Sequence, residues 1–199
     1  MTEVVCTAPG KKAIACAIDL KTTVKVSSLG KLRNAEIHLL DLTADPVILS
    51  FDAAEPNHEK YENDMKLHPS GHFRCGIKII VSSEIPIGSG LGSSAAFSVA
   101  LSTALLTHHH GDIVDQSKVT LLAREAEQFF HGRPSGLDTS TVENGGMTVA
   151  ESGVFRKIHG HDLDFNILII NTALPRDTKY MVNKVAKSLQ VAQFAIIMI

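Results

Sequence analysis

The stretch EIPIGSGLGSSAAFSVALSTALL, Glu84 to Leu106, constrains this chain more than any other. Three glycines alternate with small residues, two serines follow, and an Ala-rich apolar run begins. Glycine loosens a backbone and costs helix stability, so its concentration directly before the best helix of the chain needs a reason. A helix N-terminus exposes N–H groups that have no partner in the helix and carries about half a positive charge. Glycines before it let the backbone approach a bulky anion, and together they make a phosphate site. Pro86, Gly88, Ser89, Gly90, Leu91, Gly92, Ser93, Ser94 and Ala95 are the candidate phosphate-binding residues. No Lys follows the last glycine, so the loop is not a Walker A sequence, and G-x-G-x-G is not G-x-G-x-x-G. The alternative is a flexible strand-to-helix turn with a serine cap. The Pro before the loop and the Ser-Ser-Ala-Ala after it favour phosphate.

The rest of the chain reads as α+β, strands first and then helices on one face of a mainly antiparallel sheet. Strand patterns fall at Val4–Ala8, Ala13–Ser27, Ala35–Leu42, Val47–Phe51 and Phe73–Ser82, the last with the clearest alternation. A polar loop or loose helix is expected over Ala53–Pro69. Ser93–Leu106 should be a helix started by a serine cap, with His108, His109 and His110 in the connection after it. A second helix is expected over Val114–His131, with Val119, Leu122, Ala126 and Phe129 as its apolar face. HGRPSGLD breaks it, a third begins near Ser135, and NGG ends that one. Strands return at Met147–Glu151, Val154–Ile158 and Phe165–Ile170, and Thr178–Leu189 reads as helix.

The net charge of −2, with no block of one sign, gives no basic face for nucleic acid. Cys6, Cys16 and Cys75 form neither a CxxC pair nor a metal spacing, which suits a reduced, cytoplasmic setting. Met1-Thr2-Glu3 leads into only a short apolar run, with no secretory pattern, and no window reaches the roughly 20 apolar residues of a membrane span.

PIGSGLGSSAAFSVA resembles the phosphate-binding motif of the GHMP small-molecule kinases. EAEQFFHGRPSGLDTSTVENGG, Glu125 to Gly146, is similar to the segment that in the mevalonate kinases of that family runs from an acidic helix through His-Gly-x-Pro-Ser-Gly-x-Asp to paired glycines. NTALPRDTKYMVNKV, from Asn171, and TAPGK, Thr7 to Lys11, resemble further segments of the same enzymes. The resemblance implies the family's N-terminal domain, of the ribosomal protein S5 domain 2-like type. It places a nucleotide-binding domain over residues 1–175 and the start of a C-terminal domain over 176–199.

The resemblance also implies ATP and Mg²⁺ as cofactors, mevalonate as substrate, and a place in isoprenoid and sterol precursor synthesis. Ser94 matches the hydroxyl that coordinates Mg²⁺, and Glu127 the carboxylate that shares the ion. Asp138 matches the catalytic aspartate and Lys11 the lysine beside it. By pattern alone Asp138 reads equally as a first-turn acid favoured by the helix dipole. Glu125 flanks the apolar arc as Glu127 does, and only the family spacing to His131-Gly132 selects Glu127. Lys11 and Lys12 read also as solvated charges, and the histidine run as a polar connector.

The chain departs from the family in two places. Lys11 is followed at once by Lys12-Ala13-Ile14-Ala15, without a Gly-Glu-His turn, and the apolar tail VAQFAIIMI stands where a family helix should continue. A truncated or alternatively spliced form is therefore expected. Its function is then kinase activity on mevalonate, the same chemistry on homoserine or phosphomevalonate, or an inactive regulatory role. Expected partners are a second copy or a full-length kinase.

Overall fold

The structure is a computed structural model, and it describes residues 12–30, 34–41, 45–52, 76–111, 114–131 and 134–158. The expected elements at Val4–Ala8, Ala53–Pro69, Phe165–Ile170 and Thr178–Leu189, as well as Lys11, Cys6 and Cys75, lie outside these residues. The described elements are, in chain order, β1 (Lys12–Cys16), β2 (Thr22–Ser28), β3 (Asn34–Leu39), β4 (Val47–Asp52), β5 (Ile77–Ser83), α1 (Ser93–His110), α2 (Gln116–His131), α3 (Leu137–Asn144), β6 (Met147–Glu151) and β7 (Val154–Ile158). Among them no helix is long and apolar enough to cross a membrane.

The strands form two sheets. One has the order β2-β5-β3-β4 and the other β1-β6-β7. All pairs are antiparallel except β3 with β5, which run parallel. The strand structure expected over Ala13–Ser27 is two strands in different sheets, because the chain leaves one sheet after Cys16 and enters the other at Thr22. The run of Ala, Ile, Val and Thr is interrupted by Asp19-Leu20-Lys21 where the chain changes partner.

The larger sheet is built on the period-two alternation of β5. Ile77, Ile79 and Val81 are buried on one face and pack with Val24, Val26, Ala35, Ile37 and Leu39 of the neighbouring strands. Phe97, Leu101 and Leu105 of α1, one turn apart, cover them. Another side of α1 buries Ala95, Ala96, Ser98 and Ser102. Such small side chains let helices approach closely, and α1 packs against both α2 and α3. A second cluster joins the sheets' other half to the helices: Ala13 of β1, Leu137 of α3 and Ala150 of β6, flanked by Ala15 and Phe155.

Two helix boundaries differ from the sequence reading. His108, His109 and His110 form the last turn of α1 rather than a connection. The Thr103 and Thr107 hydroxyls donate to the carbonyls of Val99 and Thr103, and the helix closes only at Gly111, whose N–H donates to the Thr107 carbonyl. Helix α2 starts two residues later than expected. Asp115 caps it, accepting hydrogen bonds from the Ser117 amide at 2.9 Å and hydroxyl at 2.6 Å. Those bonds hold the Asp115 carboxyl below its ordinary pKa.

Candidate active site

The glycine loop leaves β5 at Ser83 through a set of polar ties. The Ser83 amide donates to Asp41, the Lys21 amide donates to the Glu84 carboxylate, and the Ser83 and Thr22 hydroxyls meet at 2.8 Å. The apolar Ile85 is buried directly after them and fixes the loop's root. Ser89 then folds back on Pro86, its hydroxyl donating to the Pro86 carbonyl at 2.6 Å. The Ser89 hydroxyl therefore shapes the loop from within.

Gly88, Gly90 and Gly92 all take positive φ, 73°, 77° and 77°. Only glycine adopts this left-handed conformation without steric cost. Gly92 is itself the residue that opens α1, and no side chain caps the helix there. The expected serine cap is absent because Ser93 and Ser94 are already the first two helical residues. A serine cap would have closed the helix end with its own oxygen. With Gly92 at that position the first-turn amides point out of an N-terminus unobstructed by a capping side chain. Around Gly88 and Gly92 the space a Cβ would fill meets no atom of the other described residues within 4 Å, chain neighbours aside. Leu91, Ser93 and Ser94 are half-buried and Ala95 is fully buried, so the loop is anchored on its C-terminal side.

Residues 111–115 join α1 to α2, and the two helices pack side by side. A connection this short between packed helices makes them antiparallel. The first turn of α1 and the last turns of α2 therefore share one end of the helical layer. Glu127 lies in that part of α2. It is 3% exposed, whereas Phe129, expected on the apolar face, is 74% exposed. The buried stripe of α2 runs through Val119, Ala123 and Glu127, at i, i+4 and i+8. Glu125 is only half-buried, which separates the two carboxylates that sequence pattern left level.

A buried carboxylate demands hydrogen bonds. Glu127 Oε2 accepts one from the Thr139 hydroxyl at 2.5 Å, and Thr139 is fully buried. Thr139 follows Asp138, which sits half-buried in the first turn of α3. The bond thus ties the carboxylate of α2 to the turn that carries Asp138. Gly136 opens α3 with φ of 79°, and a Cβ there would come within 3.2 Å of the Arg124 guanidinium, which also lies 5.8 Å from the Phe155 ring centre. Leu137, one residue before Asp138, packs against Ala13. Lys11 precedes that strand by one residue and lies outside the described residues.

Sequence reasoning singled out Glu127 and Asp138 but passed over Thr139, since a threonine after an aspartate at a helix start carries no signal of its buried partner. It passed over Glu143 as well. The Thr120 hydroxyl donates to Glu143 Oε2 at 2.9 Å, a second bond between α2 and α3, while Oε1 is buried with no hydrogen-bond partner among the described residues. Burial raises the Glu143 pKa above 4.5, against the opposing pull of Thr120 and Arg124. The folded state then holds a proton that the unfolded chain has released, and stability falls as pH rises from about 4.5 through the raised value. Glu143→Gln should therefore gain thermal stability over the wild type across that window and lose its advantage below it. Melting curves taken from pH 4 to pH 7 that run parallel for the two proteins would remove this account.

Three comparisons bear on what the site belongs to. Residues 57–146 match the family described as GHMP kinases N terminal domain. A mevalonate kinase of Arabidopsis thaliana is 38% identical over 120 residues, 55% of this chain and 32% of that protein. One of Pyrococcus horikoshii is 30% identical over 191 residues, 89% of this chain and 56% of that protein. The crystal structure of the Methanococcus jannaschii mevalonate kinase aligns with a TM-score of 0.64 at 26% identity, covering 80% of this chain and 52% of the other. The chain thus spans about half the length, or less, of the relatives it matches. The glycine loop, helices α1 to α3 and the Glu127–Thr139 contact all fall within residues 57–146, the segment that matches the N-terminal domain of the GHMP kinases.

Proposed function

We propose that the chain transfers the γ-phosphoryl group of ATP to the primary hydroxyl of mevalonate, giving 5-phosphomevalonate and ADP. The observation that carries this reading is the Glu127–Thr139 bond. It holds a buried carboxylate one residue from Asp138, at the end of the helical layer where the glycine loop opens α1. Relatives with mevalonate kinase in their names, and the HGRPSGLD segment, support mevalonate over other small alcohols.

Phosphoryl transfer asks of a protein mainly positioning and charge neutralisation. The amides from Gly88 to Ala95 are assigned to the polyphosphate, where left-handed glycines and an N-terminus without a capping side chain suit an anion. Ser94 and Glu127 are assigned to Mg²⁺. Among the described residues no three His, Cys, Asp or Glu side chains cluster as a metal cage. One carboxylate and one hydroxyl fit Mg²⁺, which keeps several waters and takes further oxygens from substrate phosphates. The ion, when bound, offsets phosphate charge beside these residues.

Asp138 accepts the proton of the mevalonate hydroxyl as its oxygen bonds to the γ-phosphorus and the bond to the ADP oxygen breaks. Lys11 is assigned to the neighbourhood of Asp138, where its charge would favour the ionised carboxylate. The packing of Ala13 against Leu137 supports this, because it sets the start of β1 against the start of α3. In this reading residues 1–175 make up the nucleotide-binding domain and 176–199 begin a second one.

The test is a nucleotide-binding titration with and without Mg²⁺, followed by an ADP-release assay with mevalonate, homoserine and phosphomevalonate. Tight binding only with Mg²⁺, and ADP release only with mevalonate, is expected. Protein that remains folded by circular dichroism yet binds no nucleotide would end the proposal.

A further inference from the structure

The polar contact between α2 and α3 is built from a buried donor and a buried acceptor. Glu127 is 3% exposed and Thr139 is fully buried, and the hydroxyl donates to Oε2. A carboxylate on a glutamate has three rotatable bonds above it. Burial of the stem on the Val119–Ala123–Glu127 stripe restrains the first of these. The last, which turns the carboxylate plane, is broad and weakly held by sterics. A hydrogen bond to one oxygen restrains it, and with it the direction in which the other oxygen faces. The donor stands on the other helix, one residue after Asp138, so it also fixes how far α3 stands from the carboxylate.

We propose that Thr139 is a positioning residue: its hydroxyl orients the Glu127 carboxylate for a divalent cation and keeps that cation in register with Asp138. The inference rests on the assignment of Glu127 to Mg²⁺ under Proposed function. It adds that affinity for the ion depends on a side chain that does not touch it. Partners of this kind change metal affinity by roughly 10–100-fold when removed, because the ligand they hold is left to wander or to turn away.

The experiment measures the divalent-cation dependence of nucleotide binding, by titrating Mg²⁺, and in parallel Mn²⁺, into protein with a fluorescent ATP analogue. Thr139→Val keeps the shape and removes the hydroxyl, and is expected to raise the Mg²⁺ concentration at half-saturation by roughly 10-fold or more. Analogue binding in excess chelator should stay at the wild-type level, since the glycine loop is untouched. Thr139→Ser keeps the donor and should restore cation dependence to within about twofold, the outcome a purely space-filling role for the threonine would not give. Should the valine variant not fold, Thr139→Ala removes the same hydroxyl without setting a methyl group against the carboxylate, and the same shift is expected.

Cation dependence unchanged in a folded valine or alanine variant would overturn this inference alone, leaving the kinase reading in place. Equal losses in the serine and valine variants would overturn it too. A wild-type protein whose nucleotide binding ignores divalent cations would overturn both.

Discussion

Asp138→Asn is expected to stop turnover while nucleotide binding persists. Asparagine matches aspartate in shape but cannot take a proton from the attacking alcohol. A positioned general base is worth roughly 10²–10⁴ in rate, so kcat should fall by that factor with the Mg·ATP dissociation constant unchanged. The competing account of Asp138 is structural. The residue sits in the first turn of α3, where a negative charge is stabilised by the helix dipole by about 0.3–1 kcal/mol. Both accounts predict a slightly lower melting temperature for the variant, so stability does not separate them. The rate does. Measured ADP release at the wild-type rate in a protein of slightly lowered stability would leave Asp138 as a helix-stabilising acid and nothing more. The half-buried position of Asp138, next to a threonine bonded to a buried carboxylate, is what favours the chemical role.

The parts of the fold governed by short-range periodicity were legible in the residues. The alternation in β5 marks its buried face, and β6 and β7 have the bounds expected from their apolar runs and the intervening Ser-Gly turn. Helix α3 ends at the paired glycines, where the Gly145 amide donates to the Thr141 carbonyl. The α+β class and the antiparallel pairing follow from those elements. Features that depend on which surface meets which were not legible. The parallel β3–β5 pair is one, and the division of the strands between two sheets is another.

Helix α2 shows the same limit at the site. Sequence spacing put Phe129 inside and left Glu127 on an edge. Contact with two other helices instead turned the Val119–Ala123–Glu127 stripe inward and left Phe129 outside. Hydrophobic pattern assumes that burial follows apolarity, and it fails where a buried charge is held by a partner from another element. Glu127 could be singled out only by family spacing, and Thr139 by no signal at all. The glycine loop lies at the opposite extreme. Its conformation was visible because the backbone angles it takes are open to glycine and to few other residues, so composition reports geometry directly.

That conformational requirement leads to the other large effect expected here, at Gly92. A Gly92→Ala substitution puts a Cβ on a residue with φ of 77°, a strain of about 1–2 kcal/mol for an L-residue. Among the described residues, chain neighbours aside, the new carbon meets no atom within 4 Å. A bound phosphate is a further group it would disturb. If the loop holds the polyphosphate, ATP affinity should fall by about tenfold or more, the equivalent of 1.4 kcal/mol, beyond the loss in stability. Adenosine, which has no phosphates, should bind the variant and the wild type alike. Calorimetric titration of both ligands into both proteins makes the comparison, with melting curves to show that the variant is folded at the temperature used. A flexible turn that never meets a ligand predicts a different pattern, in which the melting temperature drops and ATP affinity stays level with the wild type. Adenosine and ATP weakened by the same factor would point to a general distortion of the site. Only selective loss of the phosphorylated ligand fits a backbone shaped to let an anion reach the amides of α1.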